Sequence, residues 1–248
     1  MTSRAAWGYG LATVSGDGTV LDTWYPNPKL GDIPKGTDRH IAPAEFEEAI
    51  GADARRNVRL DFVTVDIDLD AAPSSTADAY LRLHLLSHLL VAPNSINLDG
   101  IFAHLPIVAW TNAGPVHPSD FEKLRPSLQR AGIAVHSYDR FPRMVDYFVP
   151  PRIRIADTAR VRLGAYVSPG TTIMHEGYVN FNAGTLGVSM VEGRISQGVV
   201  VGDGPRTVKA VELSGVPGLL FRRNSLTGAV EVVARSGDGI HLNPELHP

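Results

Sequence analysis

Apolar residues alternate in short runs along the first half of the chain, and in the second half they return every sixth residue. Leu11-Ala12-Thr13-Val14 and Thr19-Val20-Leu21 flank Ser15-Gly16-Asp17-Gly18, which predicts a hairpin whose glycines supply positive φ. Val58, Leu60 and Phe62, then Val63, Val65, Ile67 and Leu69, alternate on either side of a one-residue slip, so a bulged strand is expected. Residues 26–54, with four prolines, read as a surface loop carrying one short helix at about 44–50. The leucine-rich run from Ala79 to Val91, broken by Arg82, His84 and His88 and halted before Pro93, predicts a buried core helix too short to span a membrane. A strand over 107–111, a helix opened by Pro118-Ser119-Asp120 and a strand over 133–138 complete an α/β pattern.

From Ile155 the period changes. Ile155, Val161, Val167, Ile173 and Val179 carry the β-branched aliphatic, and Ala159, Ala165, Thr171, Gly177 and Ala183 sit two residues before each following repeat. A small-x-aliphatic triplet fits one short strand whose first and third side chains face the same way. The remaining residues turn a corner, and three strands per coil make a triangular left-handed parallel β-helix. An antiparallel sheet is disfavoured, because Asp157, Pro169 and His175 fall on the parity that should stay apolar. The repeat blurs from Gly184 to Ser189, resumes with Ile195 and Val201, and is cut off at Pro205. That leaves roughly three coils about 4.8 Å apart, whose open ends need a cap or a partner. Two further strands are expected around Ser225-Leu226-Thr227-Gly228. The expected organisation is an N-terminal α/β domain (1–148), a shortened hexapeptide-repeat β-helix (149–204) and a small C-terminal β segment (205–248).

Composition narrows the function classes. The 248 residues contain no cysteine, which excludes disulfides, thiolate metal sites and cysteine nucleophiles. A net charge of −3 gives no reason to expect nucleic acid or an anionic membrane as partner. No signal-peptide pattern opens the chain, so the cytoplasm is the expected compartment.

Hexapeptide β-helices are used overwhelmingly by trimeric acyltransferases, an analogy at the level of fold only. Acyl transfer to an amine requires removal of a proton from an ammonium of pKa about 10, and stabilisation of an oxyanion. Glu192, in Met190-Val191-Glu192-Gly193-Arg194, is the stronger candidate carboxylate, acting as base or as nucleophile; Glu176 and Asp203 are the other acids near glycine. The alternative is a surface ion pair between Glu192 and Arg194. Arginines at 140, 143, 152, 154, 160 and 162 suit carboxylates or phosphates, or simply a solvated face. His84 and His88 have metal-ligand spacing but read as core histidines, and His175, beside Glu176, reads as a base, a ligand or simply a corner residue of the coil.

Several long strings then point to a family. Arg140-Phe141-Pro142-Arg143-Met144-Val145-Asp146-Tyr147, the run from Met174 to Gly187, Met190 to Arg194, Trp110-Thr111-Asn112 and Leu220-Phe221-Arg222-Arg223-Asn224-Ser225 closely resemble the actinobacterial type of tetrahydrodipicolinate N-succinyltransferase. The resemblance implies succinyl-CoA as co-substrate, ring-opened tetrahydrodipicolinate as acceptor, and a place in the succinylase branch of lysine and diaminopimelate synthesis. It also implies a cytoplasmic homotrimer. It makes Glu192 the catalytic carboxylate, Arg194, Lys209, Arg222, Arg223, Asn224 and Ser225 succinyl-CoA contacts, and Glu176 a ligand of a Mg²⁺ shared between protomers. Two departures stand out: the family's second metal ligand is an aspartate where this chain has Ala159, and roughly sixty residues of further coils are missing between Gly204 and Lys209. An impaired relative that keeps the trimeric scaffold is the rival reading.

Overall fold

The computed structural model describes residues 4–202 in full and, beyond them, the backbone of strands Arg206–Val208, Leu219–Arg223 and Val230–Arg235. The N-terminal sheet is built on Ala5–Ser15, which pairs antiparallel with Val20–Trp24 on one side and Val58–Asp68 on the other. The hairpin forms as expected, but only Gly18 takes positive φ, at 90°. Gly16 is small for another reason: a Cβ there would lie 2.6 Å from the Asn57 amide.

Val58–Asp68 runs against Ala5–Ser15 residue for residue with no shift, so the expected bulge is absent from this ladder. Leu60 to Val65 are all half-buried, so both faces of the strand accept apolar side chains. A slip in the hydrophobic pattern then needs no slip in register. The sheet's irregularity lies instead between Thr13 and Val14 in the hairpin. In the 26–54 loop the helix is a single turn, Ala44–Glu47, anchored by the buried Phe46.

Thr76–Ser87 is the buried helix, N-capped by the Ser75 hydroxyl, which accepts from the Asp78 N–H at 3.1 Å. Every residue from Asp78 to Ser87 is buried. The polar ones are paired internally: Arg82 Nε donates to Asp78 Oδ1 at 2.7 Å, and its other nitrogens donate to the Asp68 and Asn97 carbonyls at 2.9 and 2.8 Å. At the helix end, Ser87 Oγ accepts from Gly164 N–H at 2.8 Å and donates to Ala165 O at 3.2 Å, tying the helix to the first coil. One apolar core contains Leu81, Leu83 and Leu86 of this helix together with Leu163 and Phe181 of the coils. A smaller three-stranded sheet, Val108–Thr111 with Gly114–Val116 and Val135–Asp139, packs under helix Pro118–Arg130.

The second core is the interior of a three-faced parallel β-helix. Arg154–Ile155, Thr172–Ile173 and Ser189–Val191 stack on one face; Tyr178–Val179 and Arg194–Ile195 on a second; Ala165–Val167, Ala183–Thr185 and Val200–Val201 on the third. The backbones of Arg206–Val208 and Leu219–Arg223 add in parallel to the first and third faces. The coils do not blur between Gly184 and Ser189. Thr185 takes the inward place there, 1% exposed, its hydroxyl paired with Thr171 Oγ1 at 2.8 Å. The true irregularity comes later: Thr172 stacks on Met190, eighteen residues on, whereas Tyr178 stacks on Arg194, only sixteen on. Two residues are lost from the corner between Val191 and Arg194.

Candidate active site

That shortened corner carries Glu192. Relative to Met174-His175-Glu176-Gly177 in the coil before, only Glu192-Gly193 remains between the flanking strands, so the two Glu-Gly pairs occupy matching places in successive coils. The stack is tight. Tyr178 N–H donates to Gly193 O at 3.0 Å, and a Cβ on Gly177 would sit 2.4 Å from the Val191 carbonyl oxygen, so only glycine fits.

Glu192 is half-buried and makes no hydrogen bond or ion pair among the described residues. The surface pair with Arg194 does not form. Arg194 instead lays its guanidinium over the Tyr178 ring, 4.2 Å from the centroid, and donates from Nε to Ser196 Oγ at 3.2 Å. Arg162 lies 6.0 Å from the centroid of the same ring and is held by Asp139 Oδ2 at 2.7 Å and Asn180 Oδ1 at 3.2 Å. Among the described residues the corner thus carries a carboxylate with no partner, while Arg194 and Arg162 are held by partners of their own around Tyr178. Tyr178 and Ser196, which orient Arg194, were not singled out in the sequence. Their signal was the sixteen-residue offset, legible only once the shortened corner is known.

Arg222 and Arg223 lie on a strand whose Phe221 pairs with Val201, next to the third face; their side chains lie outside the described residues, as do Lys209, Asn224 and Ser225 entirely. Glu176 is an exposed corner carboxylate, 3.7 Å from Arg160 Nη2 and 3.1 Å from His175 Nδ1. Asp157 is turned inward on its own chain, accepting from Ala159 N–H at 3.0 Å. Among the described residues no three acids or histidines gather to hold a metal, so one chain alone does not fit a Mg²⁺ site.

His84 and His88 are core histidines, as the leucine pattern suggests. His84 Nε2 accepts from the Tyr25 N–H at 3.2 Å while Nδ1 faces the Tyr80 carbonyl at 2.9 Å, an arrangement that requires the neutral ring. Burial pushes its pKa down to about 3, and that of His88 to about 4. Because the folded pKa lies below the unfolded 6.5, the unfolded chain takes up the proton first, and stability falls as pH drops below 6.5. From about pH 7 to about pH 5, His84 alone is expected to remove about 2 kcal/mol. Urea midpoints of the wild type and of His84→Gln at these two values check it; equal pH dependence in both proteins would rule it out.

A parallel β-helix counted in sixes, with a carboxylate unpaired among the described residues at a shortened corner and an α/β domain locked against its first coil, defines a hexapeptide-repeat β-helix protein. Residues 105–143 match the family model described as tetrahydrodipicolinate N-succinyltransferase, middle. The 2,3,4,5-tetrahydropyridine-2,6-dicarboxylate N-succinyltransferase of Salinispora tropica is 45% identical, covering 99% of this chain and 98% of the relative, and that of Vibrio cholerae is 36% identical, covering 98% of each. A solved structure from Campylobacter jejuni, a putative 2,3,4,5-tetrahydropyridine-2-carboxylate N-succinyltransferase, superposes with a TM-score of 0.69 over 94% of this chain and 92% of its own, at 21% identity. The chain belongs to the tetrahydrodipicolinate N-succinyltransferase family.

Proposed function

We infer that this chain is an acyltransferase that moves a succinyl group from succinyl-CoA to the amine of ring-opened tetrahydrodipicolinate, releasing CoA. The observation that carries the reading is 45% identity to a relative of that name across nearly the whole chain, with Glu192 unpaired among the described residues at the corner where the resemblance puts the reacting carboxylate. As base, Glu192 takes the proton from the substrate ammonium. Once that proton has passed to water, the freed amine attacks the thioester carbonyl, the N–C bond forms as the C–S bond breaks, and the second amine proton, taken up by Glu192, leaves with the CoA thiolate. Arg194, pinned on Tyr178, is positioned to bind an anionic part of either substrate, with Lys209, Arg222, Arg223, Asn224 and Ser225 as the further succinyl-CoA contacts.

The coils are read as left-handed and shortened. The alignment with the Salinispora relative runs over 320 positions against 248 residues here, a difference of 72 that accords with missing coils. Met174, Leu186, Val188 and Met190 expose apolar side chains on the coils, between 38% and 55% accessible, which supports burial against other copies in a homotrimer. No step is assigned to a metal. Among the described residues no helix is long and apolar enough to cross a membrane, and the polyanionic CoA thioester, which does not cross membranes, argues for a cytoplasmic enzyme.

The test is thiol release from succinyl-CoA by the purified full chain with and without tetrahydrodipicolinate. Release that depends on both substrates is expected. Release absent under all conditions, with no heat of succinyl-CoA binding in calorimetry, would favour the impaired scaffold.

A further inference from the structure

We propose that the N-terminal domain holds a second ligand site, a cleft between the hairpin and the small sheet that binds a free α-amino acid, with the ammonium at Asp22 and the carboxylate at Arg56. The cleft has a volume of about 360 Å³, at the small end of the range for ligand sites, and shares no residue with the corner that carries Glu192. Its walls are Trp24, Trp110 and Tyr147, with Leu11 and Leu60 closing the apolar side.

Asp22 is the anomaly that calls for a ligand. It is 5% exposed, yet among the described residues only Oδ2 is satisfied, by the Tyr147 hydroxyl, and Oδ1 has no hydrogen-bond partner. Thr13 stands opposite it in the hairpin ladder, close enough to favour the ionised form but in no hydrogen-bonding geometry. Burial pushes the carboxyl's pKa up, and Thr13, the Tyr147 hydroxyl and the nearby Arg56 together only partly offset this. A buried acceptor left unmet is destabilising, and a donor arriving with a positive charge would satisfy it.

Arg56 supplies the complement. Also buried, at 6% exposed, it is fixed by Asp53 Oδ2 at 2.9 Å and the Pro115 carbonyl at 3.2 Å. Its Nη2 makes no hydrogen bond among the described residues. Asp22 and Arg56 thus sit within each other's field with no ion pair between them, and the ammonium and carboxylate of an α-amino acid carry the two charges that complement them. Arg143 and Asp146, at the same cleft, are already joined to each other at 2.9 Å through both carboxylate oxygens, so they add no net charge and leave the zwitterion to the first pair. The aromatic walls suit the ammonium face and a short side chain.

Titration of the full-length protein with a panel of L-α-amino acids and diamino acids, followed by calorimetry and by the fluorescence of Trp24 and Trp110, tests the assignment. At least one is expected to bind saturably at about millimolar concentration or tighter, and its N-acetyl and methyl ester derivatives to bind at least about tenfold more weakly. Asp22→Asn should abolish binding while melting normally. If that variant does not fold, Trp24→Ala, which alters a half-exposed wall, should weaken binding in calorimetry instead. Absence of saturable binding across the panel, or binding indifferent to acetylation and to both substitutions, would overturn it.

Discussion

Glu192→Gln is expected to lower kcat by about 10²–10⁴, the usual contribution of a positioned proton acceptor, while leaving the KM for succinyl-CoA nearly unchanged. The split follows from the geometry. Glu192 anchors no neighbour among the described residues, and Arg194 is held by Tyr178 and Ser196, so the amide leaves the fixed guanidinium in place. Only the ability to accept a proton is lost. Steady-state kinetics with thiol detection would decide the matter. A tenfold rise in KM at constant kcat would instead assign Glu192 to binding.

The second large effect concerns stability. Asp78→Ala should destabilise the fold by about 3–5 kcal/mol, the range for removing one partner of a buried ion pair. Arg82 is 1% exposed and cannot turn to water. Its Nε loses its acceptor, and Ser74, whose N–H and hydroxyl donate to Asp78 Oδ2 at 2.9 and 3.1 Å, loses its own. Since a typical domain is stable by about 5–15 kcal/mol, such a loss takes about a fifth of the reserve or more. Urea denaturation of the purified variant measures it, and a loss under about 1 kcal/mol would mean that the carbonyls of Asp68 and Asn97 satisfy Arg82 by themselves.

The architecture was legible because its period is written in residues that admit few alternatives. Ile155, Val161, Val167, Ile173 and Val179 all face the interior, and Gly177 stands where the next coil's carbonyl leaves no room for a side chain. Two features misled the pattern. Thr185 looks polar in a list of aliphatics, but its hydroxyl is satisfied inside the coil, so the period continues through it. The slip at Phe62-Val63 imitates a bulge because a strand half-covered on both faces places no demand on parity. The site was legible in part. Glu192 could be named as a candidate from its string, whereas the support of Arg194 by Tyr178 depends on a stacking offset that only the shortened corner creates. Asp22 gave no signal at all, since its isolation depends on which side chains of distant segments fail to reach it.

The interior shared by Leu83, Leu163 and Phe181 has a consequence for how the molecule holds together. Neither half can shed the other without exposing oil to water, so a cut near residue 148 would leave two sticky fragments, and heating would unravel the α/β half and the first coils in a single cooperative step.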